Sequence, residues 1–165
     1  MTIPNPAACI ILVTISLGCV SANAQESHMP QNDLHLSPEL TELLREEMRA
    51  LLTGIQSIAS GIATADWKSV ADQSARIRAS FILDQKLTSA QREELESTLP
   101  EHFKRLDSNF HVEAGKLEAA ATKHDVQLVT FHYYRLMETC TTCHALYAAS
   151  RFPGFRSAAE NVHHQ

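Results

Sequence analysis

From Leu40 onward, apolar residues return at every third or fourth position: Leu40, Leu44, Met48, Leu51, Ile55, Ile58 and Ile62. Such spacing lays one stripe along a helix of about seven turns and predicts that the stripe faces a core. Ser37-Pro38-Glu39 opens this helix with a capping hydroxyl, a proline where no helical amide bond is lost, and an acid in the first turn. Ala65-Asp66-Trp67 breaks it. A second helix follows with Trp67, Val70, Ala71, Ile77 and Phe81 inward. The stretch T88-S-A-Q91 has capping-box spacing and starts a short segment ending at Leu99-Pro100. A third helix, 101–124, carries Phe103, Leu106, Phe110, Ala114, Leu117 and Ala121 on one face. The fourth runs from Asp125 to about Ser150 with Val126, Val129, Tyr133, Leu136, Met137, Cys140, Cys143, His144 and Tyr147, and R151-F-P-G-F155 stops it. No stretch alternates with period two for long enough to make a strand. Four amphipathic helices with short connections predict an all-α fold, an antiparallel four-helix bundle.

The first 24 residues hold no charged side chain, and A8-C-I-I-L-V-T-I-S-L-G-C-V20 is an apolar run too short to span a membrane comfortably. It leads to Ala22-Asn23-Ala24, small residues at the positions a signal peptidase reads. Residues 1–24 are therefore expected to be a secretory signal cleaved after Ala24. Lipidation at Cys19 is the lesser alternative, because Ser16 stands where a lipoprotein signal usually has leucine. Residues 25–36 then form a polar leader, 37–155 the helical domain and 156–165 a tail.

Composition narrows the partners. A chain of 165 residues suffices for one compact domain, and a net charge of −5 with mixed signs supplies no basic patch for nucleic acid. Losing 1–24 removes Cys9 and Cys19 and leaves only Cys140 and Cys143 in the exported chain. A disulfide between residues that close would restrict the unfolded chain very little, so a structural staple is a poor explanation.

Near the carboxyl end stands E138-T-C-T-T-C-H-A-L-Y147, open to three chemistries: redox dithiol, half a zinc site, or covalent haem anchor. A redox pair belongs at a helix start after a strand, where the positive helix end favours a thiolate; this pair lies late in a helix with no strand before it. Zinc needs a fourth ligand, and His111, His132, His163 and His164 form no recognisable second half-site. Haem attachment uses all three residues as spaced. Two thiols bond the two vinyl groups, and the histidine after the second cysteine supplies the iron's proximal nitrogen. Export agrees with that reading, and the other two remain as minor alternatives.

A helical chain with C140-T-T-C-H144 near the end of its last helix resembles the class II cytochromes c, cytochrome c′ and its low-spin relatives, over residues 37–150 or so. The resemblance implies a four-helix bundle, one haem c, and a periplasmic role in electron transfer or in binding small gases, with dimerisation common among members. It also implies a distal residue from the first helix, either a methionine on the iron or an apolar side chain that stays off it. The polar leader, the 88–99 segment and the 151–155 extension depart from the family's usual pattern.

Met48, on the first helix, is the candidate distal ligand, since a thioether opposite histidine favours reduced iron. Its plain alternative is a core filler. His111 is the rival ligand, and Met137 lies on the proximal side. Arg151 is a candidate propionate contact, or a helix-end cation favoured by the dipole. The expected function is a six-coordinate periplasmic electron carrier working with redox partner proteins. Its alternative is a five-coordinate protein binding nitric oxide or carbon monoxide, with Leu44, Met48 or Leu51 crowding the open face. Catalysis is not expected, because the distal stripe carries no acid or base to move protons.

Overall fold

The structure is a computed structural model and describes residues 34–155 apart from Ile82. The expected signal segment, most of the expected leader and the 156–165 tail fall outside the described residues. Six helices form among those described: α1 (Pro38–Thr64), α2 (Trp67–Arg78), α3 (Leu83–Lys86), α4 (Ser89–Thr98), α5 (Glu101–Thr122) and α6 (Val126–Tyr147). No described residue lies in a strand, so the expected all-α class holds for this part of the chain.

Local chemistry sets the helix starts. The Ser37 hydroxyl accepts from the Leu40 amide at 3.3 Å, and the Asp66 carboxylate accepts from that of Ser69 at 3.0 Å. At α4 the capping box is complete, with Thr88 and Gln91 each accepting from the other's amide. Asp125 opens α6 by accepting from the Leu128 amide at 3.1 Å. Ala65, Ser80 and His124 follow helices in the left-handed conformation, with φ of 56°, 56° and 55°. Each costs about 1 kcal/mol relative to glycine, and each reverses the chain within a few residues.

The long helices pack as antiparallel neighbours, α1 on α2, α2 on α5 and α5 on α6, while α1 touches α6 only lightly. On the first pair, a Cβ at Gly61 would stand 2.8 Å from a Val70 methyl, so glycine sets how closely α1 and α2 approach. Trp67 lies near His124 while His111 bonds Ile77, which orients α5 against α2. The shared core contains Leu51, Ile55, Ile58, Val70, Ile77, Phe110, Ala114, Leu117, Ala121, Val129 and Leu136.

Three expectations need correction. Helix α6 stops at Tyr147, because Ala148 leaves the helical conformation, with φ of −142° and ψ of 21°, and the chain then turns back. Phe81 lies beyond α2, in the corner before the unforeseen α3. Met48 does not sit on the buried stripe: it is 37% exposed, while Glu47 beside it is only 2% exposed. The cause is where α2 docks. The buried arc of α1 passes through Leu40, Glu47, Leu51, Gly54, Ile58 and Gly61, so α2 lies against the glycine side and Met48 turns away.

Burying a carboxylate demands donors, and the corner after α2 supplies them. Glu47 accepts from the Ser80 hydroxyl at 3.0 Å and from the Phe81 and Leu83 amides at 3.0 and 3.2 Å. Replacing Glu47 by alanine strands these donors in a water-poor place and is expected to cost about 3 kcal/mol in a urea titration, with glutamine costing less because it keeps one acceptor.

Candidate functional site

Helix α6 carries the three residues singled out in the sequence. Val129 and Leu136 are fully buried, and Tyr133 and Cys140 pack on the same core from the next turns of that face. His132 fastens the helix to α5 through its Nδ1, 2.8 Å from the Glu113 carboxylate. Cys143 follows Cys140 by three positions, so both thiols lie on one side of the helix, and His144 stands next to the second. Both cysteines are unpaired and half-buried.

Burial governs their chemistry. It pushes the Cys140 thiol up to about 11. Burial, with the nearby Asp107 carboxylate adding to it, pushes Cys143 up to about 12. Both are therefore protonated at neutral pH, unlike the low-pKa thiolate of a redox dithiol. The same loss of water lowers the pKa of His144 and keeps its imidazole neutral, the form that can donate a lone pair to a metal.

Aromatic rings close in on this turn. Phe152 stacks on the His144 ring at 4.7 Å between centroids, and Phe155 lies 6.4 Å away. One turn further on, Tyr147 meets Phe103 of α5 edge-on at 5.2 Å. Across α5 from the cysteines is a cleft of about 130 Å³, walled mainly by Leu36, Leu44, Leu83, Leu95, Leu99 and Phe103, with Asp107 on its edge. Asp107 thus links the two places, since it lines the cleft and its charge is felt at Cys143.

The remaining sequence candidates are placed as follows. His111 points its Nδ1 at the Ile77 carbonyl, 2.8 Å away, and its Nε2 toward Asp107 at 3.7 Å. Its pKa is raised, first by Asp107, so it ties α5 to the end of α2 as a positioned, proton-retaining ring. Arg151 is exposed at the turn after α6. Met48 and Met137 are each 37% exposed, on α1 and α6, the helices that barely meet. His163 and His164 lie outside the described residues, and no group of three or more His, Cys, Asp or Glu side chains suited to a metal ion occurs among the described ones. Sequence reasoning took Phe152 only as a core or haem-packing residue and passed over Asp107 and Phe155. Asp107 had a visible signal, falling one turn after Phe103 and one before His111.

No family model matches the chain, and neither a curated protein nor a solved structure is detectably similar to it.

The raised thiol values have a direct consequence in the full chain without cofactor. At pH 8, alkylation should run roughly 100-fold slower at Cys140 and roughly 1,000-fold slower at Cys143 than at an ordinary cysteine, and quicken about tenfold per pH unit toward pH 11, as mass-detected iodoacetamide labelling would record.

Proposed function

We propose that this protein is an exported c-type cytochrome, holding one haem through thioether links to Cys140 and Cys143 with His144 as the proximal iron ligand. The observation that carries this reading is the set of donors on one turn of α6: two unpaired thiols on one face and an adjacent imidazole kept neutral by burial. Those donors fit the group. Around them, Phe152, Phe155 and Tyr147 offer the apolar surroundings that a porphyrin ring needs. When bound, haem c supplies one-electron chemistry at its iron. The chain's own part is to anchor the ring, present His144 and keep water from the proximal side.

In this reading the four long helices form an antiparallel bundle around the haem, and the protein carries electrons between partner proteins in the periplasm after cleavage at Ala24. Met48 is the proposed sixth ligand, and the light contact between α1 and α6 leaves both helices room to part around a flat ring. Arg151, exposed just past the haem segment, is free to reach a propionate. Expressed alongside the haem c maturation machinery, the mature chain should gain one haem in intact mass and stay red after denaturation. The Cys140→Ser/Cys143→Ser variant should gain nothing. A wild-type mass equal to that of the amino acids alone would refute the proposal.

A second reading draws on one specific observation: Leu44, not Met48, lines the cleft that shares Asp107 with Cys143. An apolar residue there would leave the sixth position open for carbon monoxide or nitric oxide. The Met48→Leu substitution separates the two readings. With methionine on the iron it should abolish the far-red band of the oxidised protein, lower the potential and speed carbon monoxide binding. If Leu44 faces the iron, all three should stay as in the wild type.

A further inference from the structure

Beyond Tyr147 the chain turns back on itself, with residues 151–154 exposed. The Arg151 and Phe152 amides both donate to the Ala148 carbonyl at 3.0 Å, the Phe155 amide donates to the Phe152 carbonyl at 3.1 Å, and Pro153 stiffens the bend between them. This turn lays Phe152 on the face of the His144 imidazole, centroids 4.7 Å apart and planes 28° from parallel. Phe155 meets Phe152 nearly edge-on, at 6.4 Å and 86°, and stands 6.4 Å from His144. Offset stacks and edge-to-face contacts at these separations are the favoured geometries of aromatic pairs.

A histidine that binds metal usually owes its orientation to a hydrogen bond on its other nitrogen. Among the described residues neither ring nitrogen of His144 makes one. Packing alone sets the plane of the ring.

We infer that residues 148–155 form an aromatic strap in which Phe152 is a positioning residue for His144, fixing the plane of the imidazole by stacking, with Phe155 as its buttress. This rests on the haem reading above. It deepens that reading by naming what orients the proximal ligand in place of a hydrogen-bonded partner. Because phenyl rings bring no charge, they hold the imidazole without making it more electron-rich, and they keep water off that side of the iron. Both effects favour the reduced state.

The experiment uses the full-length chain carrying Phe152→Ala, Phe152→Leu or Phe152→Tyr, with intact mass reporting haem in each. In the loaded protein, alanine should broaden the electron paramagnetic resonance lines of the oxidised iron, through a spread of imidazole orientations, and move the potential negative. Tyrosine should restore both. Leucine, which fills space without stacking, should leave the lines broad. Unchanged lines in the alanine variant, or wild-type lines in the leucine variant, would overturn the inference. A second arm needs no haem. In the Cys140→Ser/Cys143→Ser chain the His144 ring protons should resonate upfield under the Phe152 ring current and return toward free histidine when Phe152→Ala is added; protons that do not move overturn the strap. If wild-type protein takes up no haem, the reading above fails by itself, and the ring-proton shifts alone uphold or overturn the strap.

Discussion

The packing of α5 between α2 and α6 is the contact on which the other placements rest. Ala114, Leu117 and Ala121 are fully buried along its ridge, and Phe110 is nearly so. Alanines at two of these positions let neighbouring helices come close, while Leu117 fills the space between them. Because α1 touches α6 so lightly, α5 is what holds α6 to the rest of the protein. The position of Cys140, Cys143 and His144 is therefore decided two helices away from the amino-terminal half of the domain.

Docking on α5 also sets the chemistry of that turn. On a solvated helix, Cys140, Cys143 and His144 would titrate near their ordinary values. Against α5, with Phe103, Tyr147 and Phe152 close by, they lose water and are held neutral. The field of the Asp107 carboxylate reaches Cys143, and its charge opposes ionisation of a thiol nearby. Burial that opposes the thiolate a redox dithiol needs also keeps the His144 lone pair unprotonated. One physical cause thus weighs against one reading of the motif and in favour of another.

The first helix shows a different balance. Its buried arc includes Glu47, Gly54 and Gly61 as well as leucine and isoleucine, because close approach to α2 and a demanding corner at 80–83 outweigh simple apolarity. Hydrogen bonds from Ser80, Phe81 and Leu83 to one carboxylate hold that corner, and α3 follows directly from it. With Met48 displaced to the rim and Leu44 lining the cleft that shares Asp107 with Cys143, which side chain would face a haem in the proposed reading becomes a question of helix rotation.

Much of the secondary structure was legible in the residues themselves. Ser37, Asp66, Thr88 with Gln91, and Asp125 announce helix starts by chemistry that acts within four residues, and each start lies where that chemistry places it. The C140-T-T-C-H144 spacing, equally local, defined the donor set. Where α6 ends was misjudged by three residues, since helical periodicity continues past Ala148, where the backbone leaves the helical conformation. On α1 the stripe was right at Leu40, Leu51, Ile55 and Ile58, but the rotation that buries Glu47 and exposes Met48 could not be read. An apolar moment tells that a helix has an inner face but not which neighbour claims it, and a buried glutamate is tolerable only once distant donors from residues 80 to 83 are in place. Short-range hydrogen bonding is written in sequence order, and so the sequence by itself determined the helices and the motif. Which side chains surround that motif, from Asp107 and Phe103 to the fold-back of Phe152, depends on contacts between helices far apart in the chain, and only the tertiary structure could decide it.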